Sequence, residues 1–210
     1  MTHDVLTLAA AGFAAGLAIA MPLGAIALLI LRESLTFGLR TGLAAGAGVA
    51  TVDLVYCTVA VVAGATLAPL IEPWLPALAI ASGAVIIVIG LVLLRGALRP
   101  AAAQAELVPG RPLSVYARFV GLTALNPATI VYFAALSAVL ASVSATGAGT
   151  VAFVVGVALG SLLWQSGLAI VGAAIGAKAT ERATRIIGIV AACVVTALGV
   201  VAIVIAVTQY

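Results

Sequence analysis

The chain has 210 residues, of which 65% are hydrophobic and only 7% are charged. A typical soluble protein is about half apolar and a quarter charged, so a water-soluble fold is excluded, because it could not bury this much apolar surface. The net charge of +3 comes from basic residues scattered among short connections, which excludes a nucleic-acid-binding patch. Long apolar runs, each near the ~20 residues that cross a bilayer as a helix, predict an all-α integral membrane protein.

Hydropathy, read together with charges, prolines and glycines, predicts six membrane-spanning helices. The N-terminus lacks the basic segment of a secretory signal peptide, so we expect span 1 to be retained. The longest polar connection, residues 99–114, is rich in helix breakers and lies at the midpoint of the chain. This linker separates a first half, 1–98, from a second half, 115–210, with three spans in each. The predicted spans are residues 5–31, 42–68, 77–98, 115–142, 150–177 and 184–208.

Lysine and arginine occur on only one side of these spans. They are found at the connections after spans 1, 3 and 5, and none occurs after spans 2 and 4 or at the termini. By the positive-inside rule the basic side faces the cytoplasm, so both termini are predicted to be extracytoplasmic in a cell membrane. The basic residues are Arg32, Arg40, Arg95, Arg99, Arg111, Arg118, Lys178, Arg182 and Arg185.

A short motif recurs in the two halves at an offset of 105 residues: Gly16–Pro22 in span 1 aligns with Gly121–Pro127 in span 4. The second copy lies three spans after the first, and each span reverses the direction of the chain across the membrane. Because three is odd, the second copy is inverted relative to the first, as in many secondary transporters built from inverted repeats. Both prolines lie about 14–15 Å from the nearest arginine at ~1.5 Å per residue, near the midplane. Spans 1 and 4 are therefore predicted to be broken, with Pro22, Gly24 and Pro127 exposing backbone groups to a site. Ordinary proline kinks in a packed bundle are the alternative.

Three polar side chains are predicted to lie at membrane depth. Asp53 lies about 20 Å along span 2 from Arg40, where a carboxylate costs at least ~2.5–3.5 kcal/mol to insert. This carboxyl group either binds a cationic part of the substrate or carries a proton, or it joins span 2 to its neighbours by hydrogen bonds. Asn126 either binds a zwitterionic solute or caps the broken helix. Gln165 either lines the same cavity or makes a helix-packing contact.

Other function classes find little support. The sole histidine is His3, no Ser-His or paired carboxylate arrangement lies within a span, and no His, Cys and Glu cluster is present for a metal. An enzyme is therefore disfavoured, and no cofactor is predicted. Gly-xxx-Gly patterns in spans 1, 2 and 5 permit close helix approach, either within the bundle or in a homodimer.

Several stretches resemble the LysE/RhtB family of amino-acid exporters, and the resemblance extends over the whole chain in size, helix number and helix order. Two stretches depart from the family pattern: the first break reads Pro22-Leu23-Gly24 in place of Pro-Gly-Pro, and Ala128 stands where a lysine often follows Asn-Pro. The matching stretches are Met21-Pro22-Leu23-Gly24, Arg32–Gly38, Gly42–Gly48 with Asp53 and Tyr56, and Leu125-Asn126-Pro127.

The resemblance implies a secondary active transporter that exports amino acids, or related small cationic or zwitterionic solutes, driven by a proton or sodium gradient. Together with the repeat, it places Pro22, Gly24, Asp53, Asn126 and Pro127 around a site reached by alternating access. A cation or metal exporter of related fold is an alternative, against which the single intramembrane carboxylate argues. A non-transporting membrane scaffold with glycine faces that dock a partner is another.

Overall fold

The computed structural model describes residues 2–21, 24–98, 110–126, 129–130, 132–133, 136, 147–178 and 180–209. All regular structure within these ranges is helical, in agreement with the predicted all-α class. A short 3₁₀ turn, Glu72–Trp74, joins the third helix to the fourth. The α-helices are α1 Thr2–Ala20, α2 Ala25–Phe37, α3 Leu39–Ile71, α4 Leu75–Leu98, α5 Pro112–Ala124, α6 Gly147–Gly176 and α7 Glu181–Gln209.

Predicted span 1 is broken into α1 and α2, and the two axes differ by 83°. Pro22 lies outside the described residues, while Gly24 precedes the first turn of α2 in extended conformation. The predicted end of this span at residue 31 is wrong, because α2 continues to Phe37. Only Gly38 separates α2 from α3, with a φ of 88° that glycine adopts without a steric penalty. The chain thus changes direction within a single residue.

Both halves of the broken helix follow α6 in the same direction. Gly12 of α1 touches the backbone of Phe153, and Leu35 of α2 touches that of Gly176. Between these two contacts α6 rises about 35 Å at ~1.5 Å per residue, more than the ~30 Å thickness of a hydrocarbon core. We infer that α1 and α2 advance across the membrane as one broken span and do not return as a re-entrant loop.

The other helices account for part of the predicted spans. Apolar stretches long enough to cross a membrane occur in α3, α6 and α7, which with the broken pair gives up to four spans among the described residues. The apolar part of α4 is shorter, and α5 ends at Ala124, ahead of Pro127, which lies outside the described residues. Residues 137–142, the predicted end of span 4, are also outside them, so the count of six remains a prediction. The three full stretches are Leu39–Val62, Gly147–Gly176 and Arg185–Thr208.

Helix α6 is central to the bundle, where it packs against α1, α2 and α3. Helix α3 also packs against α5, and α4 pairs with α7. The Gly-xxx-Gly faces serve these internal contacts: Gly12 and Gly16 meet α6, and Gly156 and Gly160 meet α1. Glycine permits such close approach of two backbones because it has no side chain. The intramolecular alternative for the glycine patterns is confirmed at these positions.

Several of the described basic side chains gather at one end of the bundle. Arg118 of α5 pairs with Glu33 of α2, and Arg185 of α7 donates a hydrogen bond of 3.5 Å to the carbonyl of Leu98 at the end of α4. Lys178 follows α6 at the end where that helix contacts Leu35. This arrangement agrees with the one-sided distribution of charge in the sequence. Its assignment to the cytoplasmic side rests on the positive-inside rule.

Candidate functional site

A polar cavity of about 150 Å³ lies at the break between α1 and α2. An apolar cavity of this size takes up benzene, so the space is sufficient for a solute of about six heavy atoms. Its walls come from α1, α2, α3, α5, α6 and the residues that follow α5. The lining residues are Ile19, Ala20, Gly24, Ala25, Ile26, Ala27, Val49, Asp53, Thr123, Asn126, Thr129, Tyr132 and Gln165.

The structure brings together four of the six residues predicted for the site. Gly24, Asp53, Asn126 and Gln165 come from four separate segments and line the same cavity. Pro22 and Pro127 lie outside the described residues. The cavity therefore joins the break in span 1 to the polar groups of spans 2, 4 and 5.

Asp53 is buried in the middle of α3, with 3% of its surface exposed. Its Oδ2 accepts a hydrogen bond of 2.5 Å from Ser161 Oγ of α6, a length typical of a hydroxyl bound to a carboxylate. Among the described lining residues Asp53 is the only charged one, so no lysine or arginine neutralises it there. Because a buried carboxylate needs a partner, Asp53 is suited to bind a cationic group or a proton.

Two other polar atoms in the cavity wall have no hydrogen-bond partner among the described residues: Gln165 Oε1 and Thr123 Oγ1. Their residues are 4% and 1% exposed, respectively. An unsatisfied buried polar group costs about 1–3 kcal/mol, and native structures leave few such groups without a protein or water partner. A bound solute with N–H donors would satisfy both oxygens.

The end of α5 is held in place by tyrosines of α3 and α5. Tyr56 donates a hydrogen bond of 2.6 Å to the carbonyl of Ala124, the last residue of α5. Terminal carbonyls of a helix lack intrahelical donors and must be satisfied by other groups inside a membrane. Tyr116 donates to Thr51 Oγ1 at 3.1 Å, which braces the same two helices at a second level. These bonds fix Thr123 and Asn126 relative to Asp53.

The sequence did not predict several polar residues of the site, among them Ser161, Thr123, Thr129 and Tyr132. Ser161 lies four residues before Gln165, so both side chains occupy one face of α6. Thr123 lies three residues before Asn126, just ahead of the predicted break in span 4. Helical spacing from the polar residues already identified would have indicated both. Trp164, next to Gln165, is not among the lining residues.

An ion pair joins α2 and α5 between the cavity and the basic end of the bundle. Glu33 of this pair is 8% exposed, and Arg118 is 54% exposed. The predicted spans leave Glu33 in the connection between spans 1 and 2, whereas the structure buries this residue in α2. Ile30 and Phe119, one turn or less from the ion pair, are almost fully buried in one apolar cluster with Val49, which lines the cavity. Along α2, the residues that line the cavity therefore come first, then buried Ile30, and then Glu33 of the ion pair.

A break between α1 and α2, a buried carboxylate and a polar cavity between helices are features typical of membrane transporters. Comparison with family models gives a match to the LysE type translocator family over residues 17–205. The chain belongs to this family, which confirms the resemblance noted in the sequence. Its members are membrane transporters and not enzymes. Comparisons with curated proteins and with solved structures find no match.

Proposed function

We propose that the protein is a secondary active transporter that exports small amino acids from the cytoplasm. The observation that carries the proposal is the Asp53 carboxylate, which faces a polar cavity and accepts a hydrogen bond from Ser161. The ammonium group of the solute binds Asp53, and Gln165 and Thr123 accept its remaining hydrogen bonds. On release of the solute, a proton or sodium ion takes its place at the carboxylate and couples export to an ion gradient.

Helix packing supports two inverted repeats of three spans each. Such a duplication pairs α1 and α2 with the broken span that begins at α5, pairs α3 with α6, and pairs α4 with α7. The contact of α1 with α6 then has its counterpart in the contact of α5 with α3. The contacts α3–α6 and α4–α7 each join two helices that the proposed symmetry exchanges, as expected for helix pairs on a pseudo-two-fold axis. The cavity lies between the two proposed halves, where alternating access requires a binding site.

The pair of Glu33 with Arg118 acts as a cytoplasmic gate in this scheme. It joins α2 to α5, and these helices belong to the two broken spans of opposite repeats. Neutralising either residue removes an interaction of about 1–2 kcal/mol, between the values for exposed and buried pairs. We expect Glu33→Gln and Arg118→Gln to raise the access of the cavity from the cytoplasmic side by about tenfold.

A thiol at position 27 measures this access, because Ala27 lines the cavity. In a background with Cys57 and Cys193 replaced by alanine, the rate at which a membrane-impermeant reagent modifies Ala27→Cys in inside-out vesicles is compared among variants. The double variant Glu33→Gln/Arg118→Gln should react no faster than the faster single variant, because both changes remove one interaction. If the double variant reacted at a rate equal to the product of the two single effects, or if no variant reacted faster than the background protein, the pair would not be a gate.

Counterflow into proteoliposomes tests the proposed function itself. Purified protein is reconstituted with each unlabelled amino acid inside, and uptake of the same labelled amino acid is followed. We expect at least one small amino acid to accumulate transiently, with protein-free liposomes as the baseline. A reconstituted, correctly folded protein that exchanges none of them would exclude amino-acid export and favour a scaffold or another substrate class.

A further inference from the structure

The N-terminus of α2 opens directly into the cavity. Gly24, Ala25, Ile26 and Ala27, which include the first turn of this 13-residue helix, all line the cavity. Among the described residues, no side chain caps the helix. The first N–H groups of a helix have no intrahelical acceptor and carry a partial positive charge, which makes them a binding site for a carboxylate.

The other polar walls of the same cavity have the opposite character. Asp53 supplies a carboxylate, and the unpaired Gln165 Oε1 and Thr123 Oγ1 supply further acceptors, all of them from residues that are at least nine-tenths buried. Three oxygen acceptors in one cavity are best satisfied by a group with several N–H donors. An ammonium group has three such donors.

We propose that the cavity recognises the zwitterionic backbone that all α-amino acids share, with the carboxylate at the N-terminus of α2 and the ammonium at Asp53, Gln165 and Thr123. This inference rests on the proposed function and specifies its substrate class. It makes the free carboxylate of the solute necessary for binding even though no lysine or arginine is among the described lining residues. The uncapped helix takes the role that a basic side chain has in other carboxylate sites.

A second, apolar pocket of about 20 Å³ adjoins the site and limits the side chain of the solute. It shares Ala25, Ile26 and Asn126 with the main cavity and is closed by apolar residues of α4 and α7, among them Ile86 and Val195. This space is enough for about one water molecule, which needs ~10–15 Å³ on the same measure. The site therefore favours a small aliphatic side chain such as the methyl group of alanine.

Competition against labelled alanine in counterflow separates the two charged subsites. The competitors are alanine, which has both charged groups, and three analogues. Alaninamide lacks the carboxylate charge, ethylamine lacks the carboxyl group, and propionate lacks the ammonium group. We expect the last three to compete about 30-fold or more weakly than alanine, because each leaves one subsite unpaired. Ethylamine or alaninamide that competes as well as alanine would overturn the carboxylate subsite while leaving transport intact.

The variant Gly24→Ser tests the role of the helix N-terminus. The side-chain oxygen of a serine at this N-cap position accepts hydrogen bonds from the N–H groups of the first turn. It therefore competes with the substrate carboxylate for these groups. We expect the affinity for alanine to fall about tenfold and that for ethylamine to change less than twofold. The matched control is Gly121→Ser in α5, where an added side chain meets no atom within 4 Å.

Each outcome bears on one of the two proposals. Equal loss of alanine and ethylamine affinity in Gly24→Ser would refute carboxylate binding at α2, and the wild-type competitor series gives an independent answer if this variant does not fold. Lack of alanine counterflow in a protein that exchanges a larger amino acid would overturn the limit on side-chain size and leave backbone recognition to the competitor series. Lack of counterflow with every amino acid would overturn the proposed function.

Discussion

Replacing Asp53 with asparagine is expected to reduce export by about 100-fold or more, while the protein remains folded and inserted. The substitution keeps the shape of the side chain and an oxygen that accepts the hydrogen bond from Ser161, but it removes the charge that binds the ammonium group or the coupling ion. A buried charge that loses its partner costs about 3–5 kcal/mol, and ~3 kcal/mol already corresponds to a loss of about 100-fold. In Asp53→Asn the uncompensated charge is that of the substrate.

Initial rates of amino-acid counterflow, normalised to the amount of reconstituted protein, measure this effect. Ser161→Ala is the matched control, because it removes the same hydrogen bond and leaves the carboxylate in place. A hydrogen bond to a charged group contributes about 1.5–3 kcal/mol, of which ~1.5 kcal/mol corresponds to about tenfold. Because the charge remains, we expect this variant to lose about tenfold and to keep measurable transport. If Asp53→Asn transported at the wild-type rate, Asp53 would be a packing residue and the mechanism proposed for it would be wrong.

The parts of the site that the sequence predicts are those whose chemistry conflicts with lipid. An aspartate, an asparagine and a glutamine are conspicuous in apolar spans, because each needs a partner that the bilayer cannot supply. Asp53, Asn126 and Gln165 were identified in this way, and the structure places all three at one cavity. Thr123 and Ser161 are not conspicuous in the sequence, because a hydroxyl group in a helix commonly bonds the carbonyl one turn earlier and then needs no other partner. Thr51 and Thr196 make such bonds here.

Helix ends were harder to predict than helices. Arg32, Glu33 and Ser34 look like a polar connection in the sequence, but Glu33 is paired with Arg118 and Ser34 bonds the carbonyl of Ile30, so α2 runs through all three. The partner of Glu33 lies 85 residues away in the sequence and leaves no trace in local composition. The break in span 1 was predictable because a proline removes a backbone donor at a fixed position in the sequence. The 83° angle of that break was not, since it depends on how α1 and α2 pack on α6.

Replacing Gly156 with valine is expected to prevent stable assembly of the helix bundle. A Cβ atom at this position would overlap the carbonyl oxygen of Ala9 and would lie 2.8 Å from the backbone nitrogen of Phe13. Both obstacles are main-chain atoms of α1, which cannot move aside as a flexible side chain does. The helices must separate along their contact, at a cost of about 3 kcal/mol or more, the upper end of the range for overpacked cores.

Gly167→Val on the same helix is the matched control, because a side chain there meets no atom within 4 Å. Both variants lose one glycine from α6, so helix propensity changes equally, and only Gly156→Val disturbs the contact with α1. We expect Gly156→Val to aggregate or to unfold at least about 5 °C below Gly167→Val in detergent. Equal stability of the two variants, with Gly156→Val converting a dimer into a monomer, would instead show that this glycine face joins two copies of the chain.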